Sequence, residues 1–99
     1  MALNDSIPTV DERNFEEEVL LCELPVMVDF MATWCGPCKT MAPEFEALAR
    51  ELEGKAKLVK VDIDRSPALA GQLRIQSVPT TMVFAGGRLV NGKVGAMRK

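Results

Sequence analysis

Trp34-Cys35-Gly36-Pro37-Cys38-Lys39 stands between an apolar run that ends near Ala32 and a helical pattern that begins at Thr40. The two cysteines therefore open a helix that follows a strand. With Cys35 as the N-cap, Cys38 falls at N3, and its backbone N–H is one of the unpaired donors that an N-cap side chain can reach. A Cys35 thiolate accepts that bond. Pro37 has no N–H and a preset φ, which stiffens the start of the helix. Side chains three apart on a helix have Cβ atoms about 5–6 Å apart, whereas a disulfide needs about 3.5–4.5 Å; the non-helical cap residue closes that gap. The positive end of a helix favours a nearby anion by roughly 0.3–1 kcal/mol, which enlarges the thiolate fraction of Cys35 at neutral pH and makes it a nucleophile.

The rest of the composition removes the competing cysteine chemistries. Ninety-nine residues make one domain, 1–99, with a single layered core. The chain has three cysteines and no histidine, so a framework of paired disulfides, four-cysteine or Cys/His zinc sites, and Cys-His or Ser-His-Asp catalysis all lack their parts. Thiol–disulfide exchange remains. A net charge of -2 carries no basic footprint for nucleic acid or an anionic membrane. Without an N-terminal basic and apolar leader or a bilayer-length apolar run, the expected location is cytoplasmic.

The segment before the dithiol, Pro25 to Ala32, reads as a buried central strand of nearly continuous apolarity, as parallel sheets covered on both faces require. Asp29 interrupts it, on the face of Met27 and Met31. Such a carboxylate either reaches water at the strand's end or is desolvated, which raises its pKa; proximity to the dithiol points to general acid–base work. The helix after the dithiol is expected over 35–52, with Met41, Phe45, Leu48, Ala49 and Leu52 as its apolar stripe, Pro43 kinking it, and Gly54 ending it. Lys57 to Asp64 reads as a second strand. In it Lys60 is either a solvated residue or a positive neighbour tuning Asp29. Ser66 is expected to cap a short helix over 67–73 with Pro67 in its first turn.

Farther out, Ile7 to Val10 reads as a short edge strand. Asp11 is expected to cap a first helix, with Phe15, Val19 and Leu20 facing the core and acids at 12, 16, 17 and 18 forming a solvated face. Cys22, before Pro25, reads as an apolar filler or an oxidation-prone thiol. Toward the C-terminus, Thr81 to Ala85 and Arg88 to Val94 form a hairpin around Gly86-Gly87. The element order is β, α, β, α, β, α, β, β, an α/β chain closed by a hairpin.

Val28-Asp29-Phe30, the Trp34 to Lys39 stretch, Pro43, Val61-Asp62, Val78-Pro79-Thr80 and Val94-Gly95-Ala96, in this order and spacing, resemble the thioredoxin family over about Val10 to Ala96. The resemblance implies a three-layer α/β/α thioredoxin fold with a central mixed sheet and a dithiol exposed at the end of a central strand. It implies a protein disulfide reductase in which Cys35 attacks, Cys38 resolves, and Asp29, with Lys60 beside it, accepts the proton of Cys38. Trp34, Gly36, Pro37, Val78, Pro79 in the cis form, Gly95 and Ala96 then form the groove for disulfide-containing protein substrates. Electrons are expected from NADPH through a thioredoxin reductase, with no bound cofactor and no metal.

The chain departs from the family pattern at Met31, where many relatives have an aromatic residue, and at Ser77, where glycine is common. It stops at Lys99, where the family's last helix begins. That end implies an uncovered sheet face, lower stability, and a monomer or weak dimer through that face. It also admits an alternative, a client-binding thioredoxin-like module of a chaperone-like protein.

Overall fold

A computed structural model describes residues 7–95 of the chain. Five strands, β1 (Thr9–Val10), β2 (Val26–Met31), β3 (Lys57–Asp62), β4 (Thr80–Ala85) and β5 (Arg88–Val94), form one sheet in the order β1-β3-β2-β4-β5. β1, β3 and β2 run parallel, and β4 and β5 join antiparallel. The sheet is therefore mixed, with β2 central. The parallel part needs crossovers, supplied by residues 11–25 between β1 and β2 and by helix α1 (Gly36–Glu51) between β2 and β3, whereas α2 (Pro67–Gln72) leads from β3 to the antiparallel β4.

Alternation along β2 sorts the core into two faces. Val26, Val28 and Phe30 pack with Val59, Val61, Phe84, Phe15, Val19 and Leu69 on one side of the sheet. There Phe15 meets Phe84 edge to face, with ring centroids 5.6 Å apart, a contact worth about 0.5–1.5 kcal/mol beyond its burial. On the other side Phe45 of α1 packs with Leu58 and Ile7, and Met27 joins them. With α1 on one face and α2 on the other, the chain has the three-layer α/β/α arrangement expected of it.

Helix α1 runs unbroken through Pro43 to its cap at Leu52, and Gly54 turns the chain at φ +84°. Gly86 and Gly87 make the hairpin with φ of +61° and +79°; two consecutive positive φ angles match the right-handed twist of the flanking strands. A Cβ on Gly87 would also lie 3.1 Å from the Leu20 carbonyl oxygen. All seven residues of β5 are exposed, including Leu89, Val90 and Val94.

The first helix is shorter than expected. Asp11 does not cap it: its Oδ1 instead accepts the Arg13 amide at 2.9 Å, and its own amide donates to Asn14 Oδ1 at 2.8 Å. These local bonds close a turn over residues 11–14 in place of a helical one. Only a π-helical turn, Glu16–Leu20, follows, and it still buries Phe15 and Val19 beneath the sheet.

The acids of this segment are not simply a solvated face. Glu18 pairs with Lys57 at 2.6 Å, tying the π-helical turn to β3. Glu12 Oε2 accepts the Ala68 and Leu69 amides at 2.6 and 3.2 Å, so it caps α2 from a distant part of the chain. Ser66, the residue expected to cap α2, makes no side-chain cap bond and buries its Oγ without a hydrogen-bond partner among the described residues. A cap bond to a helix is worth about 0.5–2 kcal/mol. Glu12→Ala is accordingly expected to lower stability by about 1 kcal/mol in urea unfolding, whereas Glu12→Gln, which keeps an acceptor, loses less. Equal midpoints for wild type and Glu12→Ala would remove Glu12 from this role.

Candidate active site

The site grows from the end of β2. After Met31 the chain leaves the sheet, Ala32 accepts the Cys35 amide at 3.2 Å, and the turn delivers Cys35 as the N-cap of α1 in an extended conformation (φ -88°, ψ 113°). The Cys38 amide donates to Cys35 Sγ at 3.1 Å, the capping bond that the spacing implies. Cys35 and Cys38 are joined by a disulfide with Cα atoms 5.3 Å apart.

The opposite wall comes from the segment before β4. Val78–Pro79 is a cis peptide, and the Val78 carbonyl oxygen lies 3.7 Å from Cys35 Sγ. Gly95, at the end of β5, donates its amide to the Pro79 carbonyl at 2.8 Å. Trp34, Cys35, Gly36, Pro37, Cys38, Val78, Pro79 and Gly95 thus belong to one end of the sheet. Ala96 lies outside the described residues.

The dithiol is less open than the resemblance implies. Cys35 is 3% and Cys38 5% exposed, because both are packed with Ala32, Met31 and Val78. The accessible surface belongs to their neighbours: Trp34 is 66% exposed, and Gly36 and Pro37 are open to solvent.

Beneath the disulfide, Asp29 sits in the middle of the sheet, opposite Lys60 on β3 and Thr81 on β4. It is 3% exposed, and burial pushes its carboxyl up to about 6, with the Lys60 ammonium acting in the other direction. Asp29, Lys60 and Cys38 line one cavity of about 260 Å³, together with Met31 and Lys39. The cavity joins the carboxylate to the second cysteine. Cys22 belongs elsewhere, half-buried against the core on the other face of the sheet.

One neighbour escaped the sequence reading. The Trp34 indole N–H donates to Asp64 Oδ2 at 2.7 Å. The signal lay in the strand pairing: Met31 is level with Asp62 in the parallel β2–β3 pair, so the residues that follow each strand emerge side by side.

Among the described residues no helix is long and apolar enough to cross a membrane, and no group of three or more His, Cys, Asp or Glu side chains is placed to hold a metal ion. The family model for thioredoxin matches residues 6–99. The chain belongs to the thioredoxin family. It is similar to thioredoxin of Synechocystis sp., at 48% identity over 93% of this chain and 86% of the relative. Thioredoxin 1 of Nostoc sp. is also 48% identical, over 91% of this chain and 84% of the relative. The chloroplastic M-type thioredoxin of Zea mays is 41% identical over 96% of this chain and 57% of the relative. Family and site together make the chain a thiol–disulfide oxidoreductase whose redox centre is the Cys35–Cys38 pair.

Proposed function

We propose that residues 1–99 act as one thioredoxin domain that reduces disulfides in partner proteins, with Cys35 as the attacking thiol. The observation that carries the direction of attack is the Cys38 amide aimed at Cys35 Sγ at the start of α1. That donor and the helix dipole stabilise negative charge on Cys35. The Cys35 thiolate attacks one sulfur of the substrate disulfide, forms a mixed disulfide, and expels the other sulfur as a thiolate. Cys38 then gives its proton to the Asp29 carboxylate and attacks Cys35 Sγ. The mixed disulfide breaks, the second substrate thiolate leaves, and the pair ends as the Cys35–Cys38 disulfide. Two electrons have passed from the protein to the substrate.

Asp29 suits this role because a carboxyl titrating at about 6 is mostly ionised at neutral pH yet more basic than an ordinary carboxylate. Lys60 keeps it from rising further. Trp34, Gly36, Pro37, Val78, Pro79 and Gly95 form the surface against which a substrate segment lies, with Asp64 holding the Trp34 indole. The dithiol is regenerated by NADPH through a flavin-containing thioredoxin reductase, and the protein works as a monomer in the cytoplasm, where thiols are kept reduced. The three exposed apolar side chains of β5 give at most weak self-association.

The test is NADPH consumption with a thioredoxin reductase, a disulfide-bonded protein substrate, and this chain in catalytic amount. Sustained turnover that scales with the chain is expected. No turnover from a chain whose Cys35–Cys38 pair is intact would reject the reductase reading in favour of client binding.

A further inference from the structure

Thr81 lies directly opposite Asp29 in the antiparallel β2–β4 pair, so the two side chains share a face with Cβ atoms about 4.5–5.5 Å apart. Both residues are 3% exposed. Asp29 Oδ1 and Thr81 Oγ1 are also two of the three buried side-chain polar atoms that have no hydrogen-bond partner among the described residues. The adjacent hydroxyl is different: Thr80 Oγ1 donates to the Ser77 carbonyl at 2.7 Å.

A valine at 81 would fill the same volume and suit a strand equally well. The hydroxyl adds nothing to the packing and is costly to bury unless it is bonded. Backbone groups on β2 and β4 are engaged in the sheet ladder, which leaves the facing carboxylate as the natural acceptor. A hydroxyl can turn among three staggered positions to meet it, directly or through one water.

We propose that Thr81 is a positioning residue for the disulfide exchange, its hydroxyl donating to the Asp29 carboxylate and holding it in the ionised form that receives the Cys38 proton. The proposal rests on Asp29 being the proton acceptor. Other groups bear on the same carboxylate. Lys60 faces it from β3, Lys39 and Cys38 line its cavity from α1, and Lys93 on β5 is level with Thr81 but exposed. Of these lysines Lys60 favours ionisation, and Thr81 supplies an uncharged hydroxyl from the β4 side.

A donor to the charged form lowers a carboxyl's pKa, so removing the hydroxyl raises it, by about one pH unit for a single neutral hydrogen bond. The experiment is carbon NMR of the Asp29 carboxyl in the oxidised protein, where the paired cysteines do not titrate, for wild type, Thr81→Val and Thr81→Ser. Thr81→Val should move the midpoint up by about one pH unit, and Thr81→Ser, which restores the hydroxyl, should return it most of the way.

In stopped-flow release of substrate from the mixed disulfide, the acid limb should move with the midpoint. Release by Thr81→Val then slows about five-fold at pH 6 and is unchanged near pH 8.5. An unmoved midpoint in Thr81→Val, or an equal shift in Thr81→Ser, overturns the proposal. If the midpoint moves but release does not follow, and Asp29→Asn releases substrate at the wild-type rate, it is the proton-acceptor role of Asp29 that fails, and with it the catalytic part of Thr81.

Discussion

Cys35→Ser is expected to abolish disulfide reduction, lowering turnover in the reductase-coupled assay by roughly 10³-fold or more. The size of the effect follows from the absence of substitutes. A serine hydroxyl stays protonated at neutral pH and does not form a stable bond to sulfur. No histidine exists in the chain to activate another group. Cys22 lies before β2, while Cys35 lies after it, and six strand residues at about 3.3 Å each separate the two ends by about 20 Å. Cys38→Ser should fail differently: the first exchange proceeds and stops at the mixed disulfide, because the thiol that resolves it is missing. Full substrate affinity with no loss of function in Cys35→Ser would favour a client-binding module over an exchange enzyme.

Asp29→Asn is expected to stabilise the oxidised protein by about 3 kcal/mol above pH 7 and by almost nothing below pH 4. In the folded chain the carboxyl is held up at about 6 from an ordinary value of 3.8, first by burial, with Lys60 opposing. Between those two values the folded state binds a proton that the unfolded state releases. Stability is therefore greatest below pH 4 and declines as pH rises through 6, where the buried group is forced to ionise. An asparagine is neutral at every pH and escapes that decline. Urea unfolding of both proteins at pH 4, 6 and 8 measures it. Parallel pH profiles for wild type and Asp29→Asn would show that Asp29 is not ionised in a desolvated site. The same substitution removes the acceptor for the Cys38 proton, so a more stable protein that releases substrate more slowly is the combined signature expected of a strained functional carboxylate.

Much of this was legible in the sequence. The Trp34 to Lys39 stretch placed a strand before it and a helix after it. The two-residue period of a strand put Asp29 on the face of Met27 and Met31. Gly86-Gly87 announced the final hairpin. These features are local, so neighbouring residues suffice to read them. What escaped depended on contacts between distant parts of the chain. Asp11 has the chemistry of a helix cap, but its side chain and amide were captured by the turn to Asn14. Ser66 has the same chemistry, but Glu12, 56 residues from Ala68, reaches the α2 amides instead. The Trp34–Asp64 bond and the pairing of Thr81 with Asp29 follow from strand register, which no single segment encodes. The burial of both cysteines likewise arises from the Val78 segment closing over them.

The most direct test of exchange through the Cys35–Cys38 pair is the mass and linkage map of Cys38→Ser after incubation, in reduced form, with a disulfide-bonded protein substrate. The expected product is a covalent one-to-one complex joined through Cys35, stable until a small thiol is added. A complex joined through Cys22, or no complex from a folded protein with a free Cys35, would contradict exchange through this pair.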